Sequence, residues 1–173
     1  MMKGEIYVKQ SELIAPEKYN IVMEFEKFAN APDRMALKWE DEAGLRKSIT
    51  YKNLIRNANK IGNAFKELGL QQGDKVLVMM PRLIETYQVY ITLLKLGMVV
   101  LPSSEMLKAK DLQYRINHGD VKGVIAYHSF TDVFKEVEEA DRLTKLVVGA
   151  PSEGWVYLDS IMEDQSDELE IAD

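Results

Sequence analysis

Ser103-Ser104-Glu105 follows an apolar run at residues 98–102 and precedes a helical pattern beginning at Lys110, which sets two hydroxyls and a carboxylate at the mouth of a buried strand. Three further pieces stand in the same relation to apolar runs: Pro81-Arg82, His128-Ser129-Phe130 and Gly149-Ala150-Pro151. Ligands of open parallel sheets bind beyond the carboxyl ends of the strands, so these loops are where chemistry is to be sought. His128 beside Ser129 puts a base next to a hydroxyl. Nucleophilic catalysis also needs a group that orients the base and donors for the developing oxyanion, and the sequence offers neither. Helix capping by Ser129 or Thr131 accounts for the same residues.

The remaining candidates are single residues. Arg115 can reach a phosphate or pair with Asp111 one turn back on the same helix. Arg82 follows a strand end, and His118 stands before Gly119 at a helix end, where the helix dipole favours a positive charge. Neither G-x-G-x-x-G nor G-x-x-x-x-G-K-[ST] occurs, so the two common phosphate cradles are absent from the sequence. With two histidines and no cysteine, a structural zinc site and a disulfide framework are both excluded as organising features.

The elements that must position these loops follow from periodicity. Residues 75–80, 98–102, 122–127 and 145–148 are continuous apolar runs, as in strands covered on both faces. Their starts lie 23, 24 and 23 residues apart, room for one strand, one helix and two short loops. That is the spacing of right-handed strand-helix-strand crossovers in series. Helices are expected at 83–96, 110–117 and 132–140, the first apolar almost all round and therefore the most buried, with a short strand at 155–158. Upstream, 19–29 reads as an amphipathic helix stopped before Pro32. Residues 35–40 and 45–50 read as a hairpin leaning on the sheet edge. Thr50 and Gly69 bracket a helix with Leu54, Ala58, Ile61, Phe65 and Leu68 on its buried face and Lys52, Arg56, Asn59, Lys60 and Lys66 in solvent. The fold class is thus α/β in three layers: a mostly parallel sheet with helices on both faces, plus an N-terminal β-hairpin.

The chain of 173 residues has a formal charge of −6, and residues 163–173 hold six acids and no base, so the remainder is electrically balanced. A balanced body lacks the basic footprint of a nucleic-acid binder. The acidic end has little to bury and is expected to be a solvated linker or tail following an α/β portion at 1–162. No apolar run is long enough to span a bilayer and the first residues build no signal-peptide core, which points to a cytoplasmic protein.

Ile49-Thr-Tyr-Lys-Asn-Leu54, Asn59-Lys-Ile-Gly-Asn-Ala-Phe-Lys-Glu-Leu-Gly69, Gly73-Asp-Lys-Val76, Glu85, Leu96-Gly97 and Leu101-Pro102, in unbroken order, resemble the opening third of AMP-forming ligases, the family of acyl-CoA synthetases, luciferases and peptide-synthetase adenylation domains. Pro102-Ser103-Ser104 followed by Lys110-Asp-Leu-Gln-Tyr-Arg-Ile116 is most similar to the short- and medium-chain acyl-CoA synthetase branch, with a departure at Met98, where a small residue is common in the family. The resemblance implies a carboxylic acid, ATP, Mg2+ and coenzyme A as reactants and cofactors, as in fatty acid metabolism. Attack of the carboxylate on the α-phosphate gives an acyl-adenylate, and the thiol then displaces AMP. It also implies that the phosphate loop, adenine motif, ribose-binding aspartate and catalytic lysine belong to a downstream part. This segment alone is then expected to be inactive and to bind no cofactor of its own. Ser103, Ser104 and Glu105 would line the channel of the pantetheine arm, or form an ordinary polar loop. The alternative is an autonomous non-catalytic α/β binding module derived from the same fold. Surfaces left bare in such a segment are expected to promote a homo-oligomer.

Overall fold

The computed structural model describes Ile14 and residues 17–172. The residues read above for a signal peptide are largely outside this range.

In chain order the elements are α1 (Val22–Ala29), β1 (Met35–Glu40), β2 (Arg46–Thr50), α2 (Tyr51–Glu67), β3 (Lys75–Met79), α3 (Ile84–Lys95), β4 (Val99–Pro102), α4 (Ala109–Gly119), β5 (Val121–Tyr127), β6 (Thr144–Val148), β7 (Val156–Tyr157) and α5 (Leu158–Met162). The last five strands listed form one sheet in the order β4-β3-β5-β6-β7, parallel at every pairing. The expected mixture of a parallel sheet, two helical layers and a hairpin is the observed architecture.

Because successive side chains of a strand point to opposite faces, β3 divides its residues between two cores. Val76 and Val78 join Ile125, Leu146 and Val148 beneath Ile61 and Phe65 of α2 and Val89 and Leu93 of α3. Leu77 and Met79 join Val124 and Ala126 on the other side, beneath Leu112 and Ile116 of α4 and Phe134. A third core ties α1 and the hairpin to α2 through Val22, Leu54, Ile55 and Ala58.

The caps of α2 explain its sharp ends. Thr50 Oγ1 accepts the Asn53 amide at 3.3 Å, and Gly69 closes the helix at φ +85°, a conformation that costs a residue without Cβ little.

Five expectations are corrected. The hairpin does not lean on the edge of the main sheet: it is a separate two-stranded sheet resting on α2, with Trp39 Nε1 donating to the carbonyl of Arg82 at 2.6 Å. Residues 132–140 are not an α-helix but 3-10 turns at Asp132–Glu136 and Ala140–Arg142. The buried Phe134, Val137, Ala140 and Leu143 recur every third residue, the period of a 3-10 helix. Helix α3 is the most buried of the helices, as expected, but not through apolar residues alone: it buries Thr86, Gln88, Thr92 and Lys95 while Tyr87 and Leu94 are exposed. Asn59 is buried rather than solvated.

The fifth concerns the acidic end. Residues 163–172 lie as a strap across α2: the carbonyl of Asp167 accepts from Asn59 Nδ2 at 2.7 Å, those of Ser166 and Glu168 from Asn63 Nδ2 at 2.9 Å each, and Arg56 pairs with Asp167. Leu169 sits over Gly62, where any Cβ would run into its Cδ2, and the Ala172 amide donates to the carbonyl of Lys95. The segment is held by backbone carbonyls, the Ala172 amide, Leu169 and the Arg56–Asp167 pair, while Glu163, Asp164, Glu168 and Glu170 are exposed.

Candidate functional site

Neighbouring strands are spaced about 4.8 Å apart, so the strand order brings the four strand-end loops into one row, with Ser103, Met80-Pro81, His128 and Gly149 spread over roughly 14 Å.

At the β4 end the Ser103 amide donates to the carbonyl of Val78 at 2.9 Å, one rung beyond the strand proper, and its hydroxyl reaches back to the carbonyl of Leu101. Ser104 Oγ accepts the Met106 amide at 3.2 Å and its carbonyl accepts that of Leu107, so the second serine shapes a turn. Glu105 projects into solvent. The turn delivers the chain into α4, whose start is closed by Asp111: its carboxylate accepts the Lys108 amide at 3.1 Å. Asp111 is thereby taken by the cap, and the Arg115–Asp111 pair allowed by sequence spacing does not form.

At the next strand end Thr86 Oγ1 donates to the carbonyl of Pro81 at 2.6 Å, holding the start of α3 against the turn, while the Arg82 side chain is exposed. The β5 end is the most crowded. The Tyr127 and His128 rings meet at 4.5 Å and press on Gly149, where a Cβ would come 2.5 Å from Tyr127 Cε2 and 2.8 Å from His128 Cδ2. Gly149, at φ +95°, is the position the two rings require to be empty. Thr131, buried, donates to the carbonyl of His128 at 2.9 Å and approaches Ser152 Oγ at 3.3 Å. Ser129 is exposed, and among the described residues no hydrogen bond joins it to His128. The base and the hydroxyl that neighbour each other in sequence do not form a catalytic pair.

Farther along the same edge, Tyr157 at the end of β7 donates its hydroxyl to Asp159 Oδ2 at 2.8 Å, which holds its pKa above the ordinary tyrosine value. Among the described residues no three His, Asp or Glu side chains converge in a way that suits a metal ion. The edge is a row of well-tied turns with a tyrosine-histidine wall in its middle. Sequence reasoning placed the serines, His128, Thr131 and Gly149 at strand ends but missed Tyr127 and the packing of its ring with His128 on Gly149; the glycine directly after an apolar strand was the available signal.

The family model described as AMP-binding enzyme matches residues 25–171. The chain belongs to the AMP-binding enzyme family. It is 50% identical over 159 residues to an uncharacterized acyl-CoA ligase, YtcI, of Bacillus subtilis (strain 168), a stretch covering 92% of this chain and 30% of that ligase. It is 31% identical over 135 residues to the mitochondrial acyl-coenzyme A synthetase ACSM1 of Mus musculus, covering 76% of this chain and 24% of the synthetase. The crystal structure of the anthranilate CoA ligase AuaEII in complex with anthranoyl-AMP superposes with a TM-score of 0.80 at 24% identity, over 95% of this chain and 31% of that one. The described sheet is therefore a fold shared with adenylate-forming ligases. The chain spans between about a quarter and a third of the length of these relatives.

Proposed function

We propose that this chain is the N-terminal region of an AMP-forming acyl-CoA ligase, acting as scaffold and as one wall of the coenzyme A channel, and that it does not catalyse adenylation by itself. The observation that carries the proposal is the state of the strand-end row. In a family that activates carboxylates, the hydroxyls of Ser103, Ser104 and Thr131 on this edge are engaged in turns, and among the described residues no acid, base and metal ligand converge.

Adenylation accumulates charge on a transferring phosphoryl group, which calls for positioned donors and a divalent cation. Neither ATP phosphates nor Mg2+ fits the residues at hand: the loops carry no glycine-rich cradle, and the described carboxylates do not cluster. No step of the reaction is assigned to this chain. What it supplies is rigidity and shape. In this reading Ser103, Ser104 and Glu105 border the path of the pantetheine arm as a turn whose backbone is fixed by the Val78 carbonyl, while Tyr127 and His128 form the neighbouring wall.

Carboxylate-dependent ATP–pyrophosphate exchange tests the reading. The purified chain, offered short- and medium-chain fatty acids and benzoate with ATP and Mg2+, is expected to give no exchange above a protein-free control. Exchange that depends on added carboxylate would overturn it and make the chain an autonomous adenylating enzyme.

A further inference from the structure

Lys95, the last residue of α3, is held at both of its ends. Its ammonium, almost fully buried, donates to Glu26 of α1 at 2.5 Å and to Asn59 Oδ1 of α2 at 2.8 Å. Its carbonyl accepts the Ala172 amide of the strap at 2.8 Å and lies 3.4 Å from Asn20 Nδ2, just ahead of α1, whose closer bond goes to the carbonyl of Leu94. Asn59 completes the connection by donating its Nδ2 to the Asp167 carbonyl of the strap at 2.7 Å. Segments from opposite ends of the described residues therefore meet on one lysine.

The chemistry of these groups allows the Asn59 amide a single orientation. An ammonium has donors and no acceptor, and a carbonyl has acceptors and no donor, so the amide must turn its oxygen to Lys95 and its nitrogen to the strap. Rotated by half a turn, it would set N–H against ammonium and oxygen against oxygen, and both bonds would be lost together. Each bond therefore keeps the amide in the orientation that the other needs.

We propose that Asn59 and Lys95 form a latch that makes the docking of the strap and the docking of α1 mutually dependent, so that releasing either segment loosens the other. Lifting the strap takes the acceptor away from Asn59 Nδ2 and lets water reach the ammonium, and the higher local dielectric weakens its attraction to Glu26. Lifting α1 leaves a buried ammonium with Asn59 Oδ1 as its remaining side-chain partner. A charge so placed draws in water or moves outward, and either shift frees the amide that holds Asp167. The coupling is partial, because Asn63 and Arg56 hold the strap through bonds that do not involve Lys95. It is independent of the proposed scaffold role.

Hydrogen exchange of the whole chain, followed residue by residue by NMR, tests the latch. Glu26→Gln keeps the shape of the side chain and removes its charge at a partly exposed position, so the variant is expected to fold. Amides at 166–172 should then exchange about threefold faster or more. Glu24→Gln removes a carboxylate from the same helix, one paired with the exposed Lys27, and should leave the strap as it is. In the opposite direction Leu169→Ala, which loosens the strap over Gly62, should speed exchange at 25–29 of α1 by a similar factor. When Glu26→Gln and Leu169→Ala are combined, the increase at the strap should fall short of the product of the two single increases. The amides of β5 report global opening and should change by less than those of either segment. Strap exchange untouched by Glu26→Gln, α1 exchange untouched by Leu169→Ala, or a double variant that multiplies the two factors would each overturn the latch. Equal acceleration in β5 would overturn it too, because the loss would then be one of general stability.

Discussion

The two faces of the sheet are built to different depths. On one, α2, α3 and α5 lie on the strands, and α1, the hairpin and the strap cover part of that layer again. On the other, α4 and a series of 3-10 turns form a single layer. The polar groups differ accordingly. Beneath the double layer, Lys95 is almost fully buried, donating to Glu26 Oε1 at 2.5 Å and to Asn59 Oδ1 at 2.8 Å, while Asn59 passes its own N–H to the Asp167 carbonyl. One lysine thus joins α1, α2, α3 and, through Asn59, the strap. On the thin face Lys110 and Arg115 are exposed and have no ion pair among the described residues. On the thick side the buried side chains of Asn59, Thr86, Thr92 and Lys95 all have hydrogen-bond partners. The thin side pairs Lys135 and Arg142 with acids of their own turns but leaves the buried Gln113 Oε1 of α4 without a partner among the described residues.

The comparison breaks most directly at Lys95. Replacement by alanine empties a fully buried site, leaves Asn59 Oδ1 without its donor and strands Glu26, whose side chain is 33% exposed and so partly rehydrates. Removing one partner of a buried pair costs about 3 to 5 kcal/mol, and the exposure of Glu26 puts Lys95→Ala near the lower bound, about 3 kcal/mol. Urea unfolding followed by circular dichroism measures it. Lys95→Met, which keeps the length of the stem, should recover part of the loss. A loss below about 1 kcal/mol for the alanine variant would mean that the lysine is not the joint between the helices of the thick face.

How much of this could be read from the sequence depends on which atoms do the holding. The parallel strands were legible because double coverage forces continuous apolar runs, as in Val76-Leu77-Val78-Met79. The ends of α2 were legible because Thr50 and Gly69 act through their own chemistry. The strap was not: its acidic side chains advertise solvent, while the groups that bind it are main-chain carbonyls, which every residue owns, meeting Asn59 and Asn63 of a helix more than a hundred residues away. The helix expected at 132–140 failed for a different reason. Its apolar residues do recur, but every third position, and a four-residue reading absorbed them. At the site, the placement of Ser103 and His128 at strand ends was legible. That their neighbourhoods are closed by Val78, Thr131 and Gly149 depends on strand order, which periodicity alone does not specify.

A smaller effect separates the strap from the layer beneath it. Leu169 is half-buried over Gly62, so Leu169→Ala should cost about 1 kcal/mol and show mainly as faster hydrogen exchange of the amides at 166–172. Gly62→Ala approaches the same contact from the helix. The new methyl meets the far end of a flexible leucine, which must turn aside, while α2 gains about 1 kcal/mol of helix propensity. Strap protection should fall with overall stability nearly unchanged. If both variants leave exchange at 166–172 as it was, the strap is held by its polar contacts to Arg56, Asn59, Asn63 and the Lys95 carbonyl rather than by Leu169.

The smallest effect is a pH dependence at the edge of the thick face. Tyr90 packs against the core beneath α3, and burial, with Tyr87 close by as a second cause, raises its hydroxyl pKa above the ordinary value of 10.0. A raised folded-state pKa means that the folded protein keeps a proton the unfolded chain has released. The stability this represents is fully present below pH 10.0 and is lost as pH climbs through the folded value. Other groups titrate in the same range, so the informative quantity is a difference between variants. Urea midpoints taken from pH 8 upward should fall less steeply above about pH 10 in Tyr90→Phe than in the parent chain. Tyr87→Phe, which removes only the neighbouring charge and leaves the burial of Tyr90 intact, should change the slope by a smaller amount. Identical alkaline slopes in the parent and Tyr90→Phe would show that the hydroxyl of Tyr90 reaches water freely and that the outer edge of α3 is not sealed as the rest of that face is.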